Sequence, residues 1–192
     1  MTKHRHFIVH KPFGYISQFM TNQKTRRSKK MLGELHDFPD GTMAIGRLDE
    51  HSEGLILLTT DGKMSERVRS KKVEKEYYAQ VDGLITPEAI RLLQDGTVIS
   101  INKSIYTTLP CTVILLDKEP DFPPRTKKIR DNRHGPTCWI SIIISEGKYR
   151  QVRKMTAAAG FPTLRLFRVR IGNVYLNQMS AGEVIEVEDF DV

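Results

Sequence analysis

Cysteine is nearly missing from this 192-residue chain, which holds only Cys111 and Cys138. They lie far apart, with no Cys-x-x-Cys spacing and no histidine pair beside them, which argues against a disulfide framework or a zinc site. Both read as reduced core thiols. Long apolar runs are missing too. No segment approaches the roughly 18 uninterrupted apolar residues of a membrane span, and the apolar stretch near the start is too short for a secretory leader. A cytoplasmic protein with no membrane partner is expected. Internal repeats, low-complexity linkers, glycine-rich phosphate loops and spaced metal-ligand motifs are likewise absent.

Positive charge is what the sequence has in excess. Lys and Arg number 30 against 23 Asp and Glu, a formal net charge of +7. The excess is clustered at residues 24–30, 67–75, 125–133, 148–154 and 165–170. Five basic segments fit a polyanionic partner better than they fit solubility alone.

Hydrophobic periodicity predicts an α+β protein with a largely antiparallel sheet. Short strands are expected at 7–10, 43–45, 54–60, 113–116, 138–145, 164–169 and 183–187. "VEKEYYAQVDG" alternates with period two, so Val73, Lys75, Tyr77, Ala79 and Val81 share one face. Thr86-Pro87-Glu88 carries a capping hydroxyl followed by proline, and Gly96 is a natural stop, which places a helix over 88–95. Further helices are expected at 31–35, 63–70 and 150–159. The Pro-rich, charged stretch 117–137 reads as a long loop, functional or disordered.

Three features ask for chemistry. Lys75 sits on a face otherwise apolar, where an ammonium is costly to bury unless it snorkels at the strand end. The helix after Glu146-Gly147 begins with Lys148, Arg150, Arg153 and Lys154, although the helix dipole favours anions there. Finally, Arg47-Leu48-Asp49 stands between Gly46 and Gly54 at the mouth of an apolar strand. A carboxylate with a nearby cation can act as nucleophile or base. The rival reading of "DEHSE" as a metal site lacks a second ligand cluster.

"GRLDEHSEGLILLTTDG" resembles the signature of the RsuA-type rRNA pseudouridine synthases. "HKPFGY" resembles that family's early Lys-Pro-x-Gly element, "VEKEYYAQVDG" its Lys-x-Tyr strand, and "SEGKYRQVRKMTAAAGFPTLRLFRVRIG" its Arg-containing block. The Pro-rich insert followed by "PTCW" is most similar to the RluE branch, which acts on large-subunit 23S rRNA. Ser52 stands where many relatives have threonine.

The resemblance implies a pseudouridine synthase fold: a mixed, mainly antiparallel sheet made of two joined α+β halves with a central catalytic cleft. It implies a single catalytic domain over 1–192, with approximate halves 1–72 and 73–192 and no separate N-terminal RNA-binding module. Asp49 would attack the target nucleoside or assist departure of its base, Arg153 would pair with Asp49, and Tyr77 would stack on the uracil. Arg47 would replace the extruded nucleotide in the RNA stack. Lys75, Leu166 and Arg150 would complete the substrate pocket. The implied activity is isomerisation of a specific rRNA uridine by a cofactor-free monomer. Two rivals remain: a non-catalytic RNA-binding protein that keeps the fold, and a nuclease or glycosidase, which would need a second well-placed carboxylate.

Overall fold

The structure, a computed structural model, describes residues 3–19, 29–70, 72–125, 127–129 and 132–192. Residues 24–28 of the first basic cluster, and Lys71, Thr126, Arg130 and Asp131 of two others, lie outside the described residues. The chain forms two compact units, Met1–Val73 with Arg168–Val192, and Glu74–Phe167. The expected halves divide the chain once; these units divide it twice.

In chain order the elements are β1 (His6–Lys11), β2 (Tyr15–Ile16), β3 (Lys30–Met31), β4 (Met43–Ala44), β5 (Glu53–Thr59), α1 (Gly62–Arg69), β6 (Lys75–Asp82) and α2 (Pro87–Asp95). There follow β7 (Val98–Ile101), β8 (Ser104–Thr107), β9 (Thr112–Leu115), β10 (Thr137–Ile144), α3 (Gln151–Ala158), β11 (Thr163–Ile171), β12 (Val174–Tyr175) and β13 (Val184–Val187). The fold is α+β, with mixed but mainly antiparallel pairing: β2 and β3 run parallel, whereas β1, for example, pairs antiparallel with both β5 and β13.

The first unit is organised on β1, which lies between β5 and β13. Its register with β5 runs from His6↔Thr59 to Lys11↔Gly54. β5 is buried throughout, with Leu55, Ile56, Leu57 and Leu58 at 0% exposure. Its unbroken apolar run is what a strand covered on both faces requires. The Asp61 side chain accepts from the Lys63 amide at 2.9 Å and starts α1.

In the second unit β10 lies between β6 and β9, with β6 in register from Thr137↔Asp82 to Ile144↔Lys75. The expected alternation of β6 holds: Ala79 and Val81 are at 0% exposure and join a core with Leu93, Ile140, Ile142 and Met155. Helix α2 begins as expected, with the Thr86 hydroxyl accepting from the Ala89 amide and Pro87 at its first position. The hairpin β7–β8 was not expected. Its turn residues Asn102 and Lys103 both take positive φ, 50° and 67°, a geometry that Asn-Gly would have advertised and Asn-Lys hides. The 117–137 stretch is tied to this unit through Phe122, whose ring stacks on Phe167 at 3.8 Å and 7°. Arg165 covers Phe167 at 4.7 Å and donates to the Pro123 carbonyl.

Both cysteines are free and half-buried. Burial pushes the Cys111 thiol up to about 11, so it stays protonated and unreactive near neutrality.

Candidate active site

Gly46, at φ +72°, turns the chain out of β4, and Gly54, at φ +101°, returns it into β5. Between them Arg47 is exposed, Leu48 buried and Asp49 half-buried. The loop is tied to the Lys11-Pro12-Phe13-Gly14 turn at several points. The Gly14 amide donates to the Glu50 carbonyl at 2.8 Å, and the Phe13 ring stacks on His51 at 5.3 Å. Lys29 pairs with Glu50 and thereby lowers that carboxyl below its ordinary range. Within the loop, the Ser52 amide donates to the Asp49 carbonyl at 3.0 Å. Gly54 is where β11 presses closest: a Cβ there would stand 2.4 Å from the Arg168 carbonyl oxygen. The Arg168 guanidinium, itself buried, donates through Nε to the Leu55 carbonyl at 2.7 Å.

Lys11 ends β1 and is fully buried. Its Nζ donates to the carbonyls of Pro12 at 2.9 Å and Tyr15 at 2.7 Å, closing its own turn. Burial drives its pKa down from 10.5 to about 7, against the opposing pull of Glu53, Asp49 and Glu50. Below the folded value the cost of charging the buried amine is fully present; between about 7 and 10.5 the unfolded chain binds more protons, so stability rises with pH. A tenfold weakening of proton binding corresponds to roughly 1.4 kcal/mol. Urea unfolding of the wild type should therefore show stability climbing by several kcal/mol from pH 7 towards pH 10 relative to Lys11→Met. Parallel pH profiles for the two proteins would show that Lys11 titrates normally.

The second unit carries the other expected site residues. Tyr77 lies mid-strand in β6, opposite Ile142, and packs half-buried against the core. Lys75 opens the same strand opposite Ile144 and is half-exposed, which is the snorkelling position. Leu166 is 5% exposed and sits within the core cluster. Arg153, on α3, donates through Nη1 to the Thr163 carbonyl at 3.2 Å.

The basic start of α3 is built in an unexpected way. Arg150 takes the left-handed conformation, φ 52° and ψ 36°, and provides no side-chain cap. The Gln151 side chain accepts instead from the Lys148 amide at 3.0 Å and donates to Glu146 at 2.6 Å. Glu146 is 4% exposed and also accepts from the Leu109 amide at 2.9 Å and the Tyr106 hydroxyl at 2.5 Å. The Lys148 ammonium lies over the Tyr106 ring at 4.7 Å, and Lys154 donates to the Ser100 carbonyl at 2.6 Å. A buried carboxylate, an aromatic face and a carbonyl thus offset the cations at this helix start. Nothing in the sequence singled out Glu146 beyond its place before Gly147.

The expected residues accordingly fall into two sets, Arg47 with Asp49 in the first unit and Lys75, Tyr77, Arg150, Arg153 and Leu166 in the second. Among the described residues no three His, Cys, Asp or Glu side chains are grouped to hold a metal ion, and no helix is long and apolar enough to cross a membrane. What the Asp49 loop offers is a carboxylate and an arginine on one anchored stretch, suited to covalent or acid–base work on a polyanionic substrate.

The family model described as RNA pseudouridylate synthase matches residues 5–158. The chain belongs to this family, and is an enzyme that isomerises uridine in RNA to pseudouridine. It is similar to the ribosomal large subunit pseudouridine synthase E of Xanthomonas axonopodis pv. citri, 39% identical over 175 residues, with 90% of this chain and 88% of that protein covered. A protein of the same description from Vibrio parahaemolyticus is 36% identical over 183 residues, covering 94% of this chain and 73% of its own length. A solved structure described as a pseudouridylate synthase superposes with a TM-score of 0.76 at 26% identity, covering 97% of this chain and 71% of that one.

Proposed function

We propose that this protein converts one specific uridine of large-subunit rRNA to pseudouridine, in the cytoplasm, as a monomer without cofactor. The observation that carries this reading is the similarity to a ribosomal large subunit synthase along 90% of the chain, through both the Asp49 loop and the α3 segment. The clustered net charge of +7 supports a nucleic-acid substrate.

The reaction breaks the N1–C1′ bond of the uridine, joins C5 to C1′, and transfers the C5 proton away while N1 gains one. In this reading the Asp49 carboxylate attacks the nucleoside or assists departure of its base. Arg153 pairs with Asp49 by a charge-assisted contact, and Tyr77 stacks on the uracil. Arg47 fills the place of the flipped nucleotide, whose extrusion costs a few kcal/mol. Lys75, Arg150 and Leu166 line the substrate site. Sharing one short loop lets the flipping group and the reacting carboxylate address the same base.

The test is a map of pseudouridines in large-subunit rRNA from cells with and without this gene: loss of one site is expected, and an unchanged map would overturn the assignment. Binding of rRNA without turnover would favour the non-catalytic alternative. The Asp49–Arg153 pairing has its own test. Arg153→Met should lower the saturating rate about a hundredfold or more, and adding it to Asp49→Asn should bring little further loss. Additive losses would mean that the two act independently.

A further inference from the structure

Arg47 and Asp49 are joined by Leu48, in a stretch that is neither helix nor strand. No strand ladder fixes these peptides, yet a productive reaction requires groups held to about 0.5 Å. Leu48 itself is 5% exposed. In extended backbone, neighbours at i and i+2 project to the side opposite residue i+1, which fits an exposed Arg47 and a half-buried Asp49 flanking a buried Leu48.

One side chain holds both backbone groups of Leu48. The Ser17 hydroxyl oxygen accepts from the Leu48 amide at 3.0 Å and donates to the Leu48 carbonyl at 2.8 Å. A hydroxyl can both donate and accept, and in extended backbone the N–H and C=O of one residue point the same way, so a single Oγ can stand in for a whole strand partner. Ser17 is 7% exposed. It directly follows β2, and Leu32, just after the partner strand β3, donates its amide to the Gln18 carbonyl at 3.0 Å. The ties from Gly14 to Glu50 and from Phe13 to His51 lie beyond Asp49, and the Ser52 amide reaches the Asp49 carbonyl from the far side of Leu48.

We propose that Ser17 is a positioning residue for the reaction, fixing the backbone of Leu48 and with it the directions of Arg47 and Asp49. This inference rests on the roles given above to those two residues. It also gives the Lys-Pro-x-Gly turn a purpose: through the short strand that follows, it delivers the hydroxyl that aligns the catalytic loop.

Single-turnover tritium release from rRNA labelled at uridine C5, with RNA affinity and melting temperature measured alongside, tests this. Ser17→Ala should lower the saturating rate about ten- to a hundredfold while RNA affinity stays within about twofold. Ser17→Thr, which keeps the hydroxyl, should regain most of the rate. Should the alanine variant not fold, Ser17→Cys serves instead, because its thiol is a weak donor and acceptor; its rate should fall below that of Ser17→Thr. A wild-type rate in Ser17→Ala or Ser17→Cys would overturn the proposal, as would a loss confined to RNA affinity. An inert wild-type enzyme would overturn the assigned reaction itself, so the two failures are distinct.

Discussion

Asp49→Asn should abolish tritium release, with a loss of at least about a thousandfold, roughly 4 kcal/mol in the barrier. The amide keeps the size and shape of the carboxylate but is a poor nucleophile and base. Fold and RNA affinity should be nearly unchanged. The loop is held at Asp49 by a backbone bond from the Ser52 amide, which an amide side chain leaves intact. Turnover within about tenfold of wild type would remove Asp49 from its assigned role. A variant that binds rRNA as wild type does and turns nothing over separates chemistry from binding.

Gly54→Ala should be the most damaging of the glycine-to-alanine changes among the described residues. A methyl group there would lie 2.4 Å from the Arg168 carbonyl oxygen and 2.9 Å from its nitrogen, backbone atoms that cannot swing aside, at a φ of +101°. Overpacking and an unfavourable φ together should cost about 3 kcal/mol or more, seen as a lowered melting temperature and poor soluble yield. Gly46→Ala is the matched control. Its φ is +72°, but nothing stands within 4 Å of the added carbon, so a loss of about 1 kcal/mol is expected. Equal losses at both glycines would mean that conformation, rather than the close approach of Arg168, is why position 54 must be glycine.

Much of this was legible in the sequence because the relevant signals are local. Alternation over "VEKEYYAQVDG" exposed the two faces of β6, and Thr86-Pro87 with Gly96 bracketed α2. The Arg-x-Asp loop was conspicuous because charges rarely stand between two glycines beside an apolar strand. Tertiary partners left no such trace. Lys11 reads as a polar turn residue, yet it is fully buried at the end of β1, and its cost is borne by carbonyl partners that no spacing rule reveals. Ser17 resembles any loop serine, because its partner is the backbone of a residue far along the chain. Glu146 stood out only by its place before Gly147, although its acceptor oxygens gather donors from β8, from the segment before β9 and from α3. The hairpin β7–β8 stayed hidden because its turn is made by Asn102-Lys103, without glycine.

The double crossing between units sets an order of assembly. The second unit is one continuous stretch, Glu74–Phe167, whereas the first needs Arg168–Val192 to place β13 beside β1. As the chain emerges from the ribosome amino end first, the stretch bearing α3 and Arg153 is therefore complete while β1 still lacks one of its neighbours. The unit holding Asp49 cannot close until residues 168–192 have been made. The stretch holding Asp49 is thus made before the second unit and closes after it.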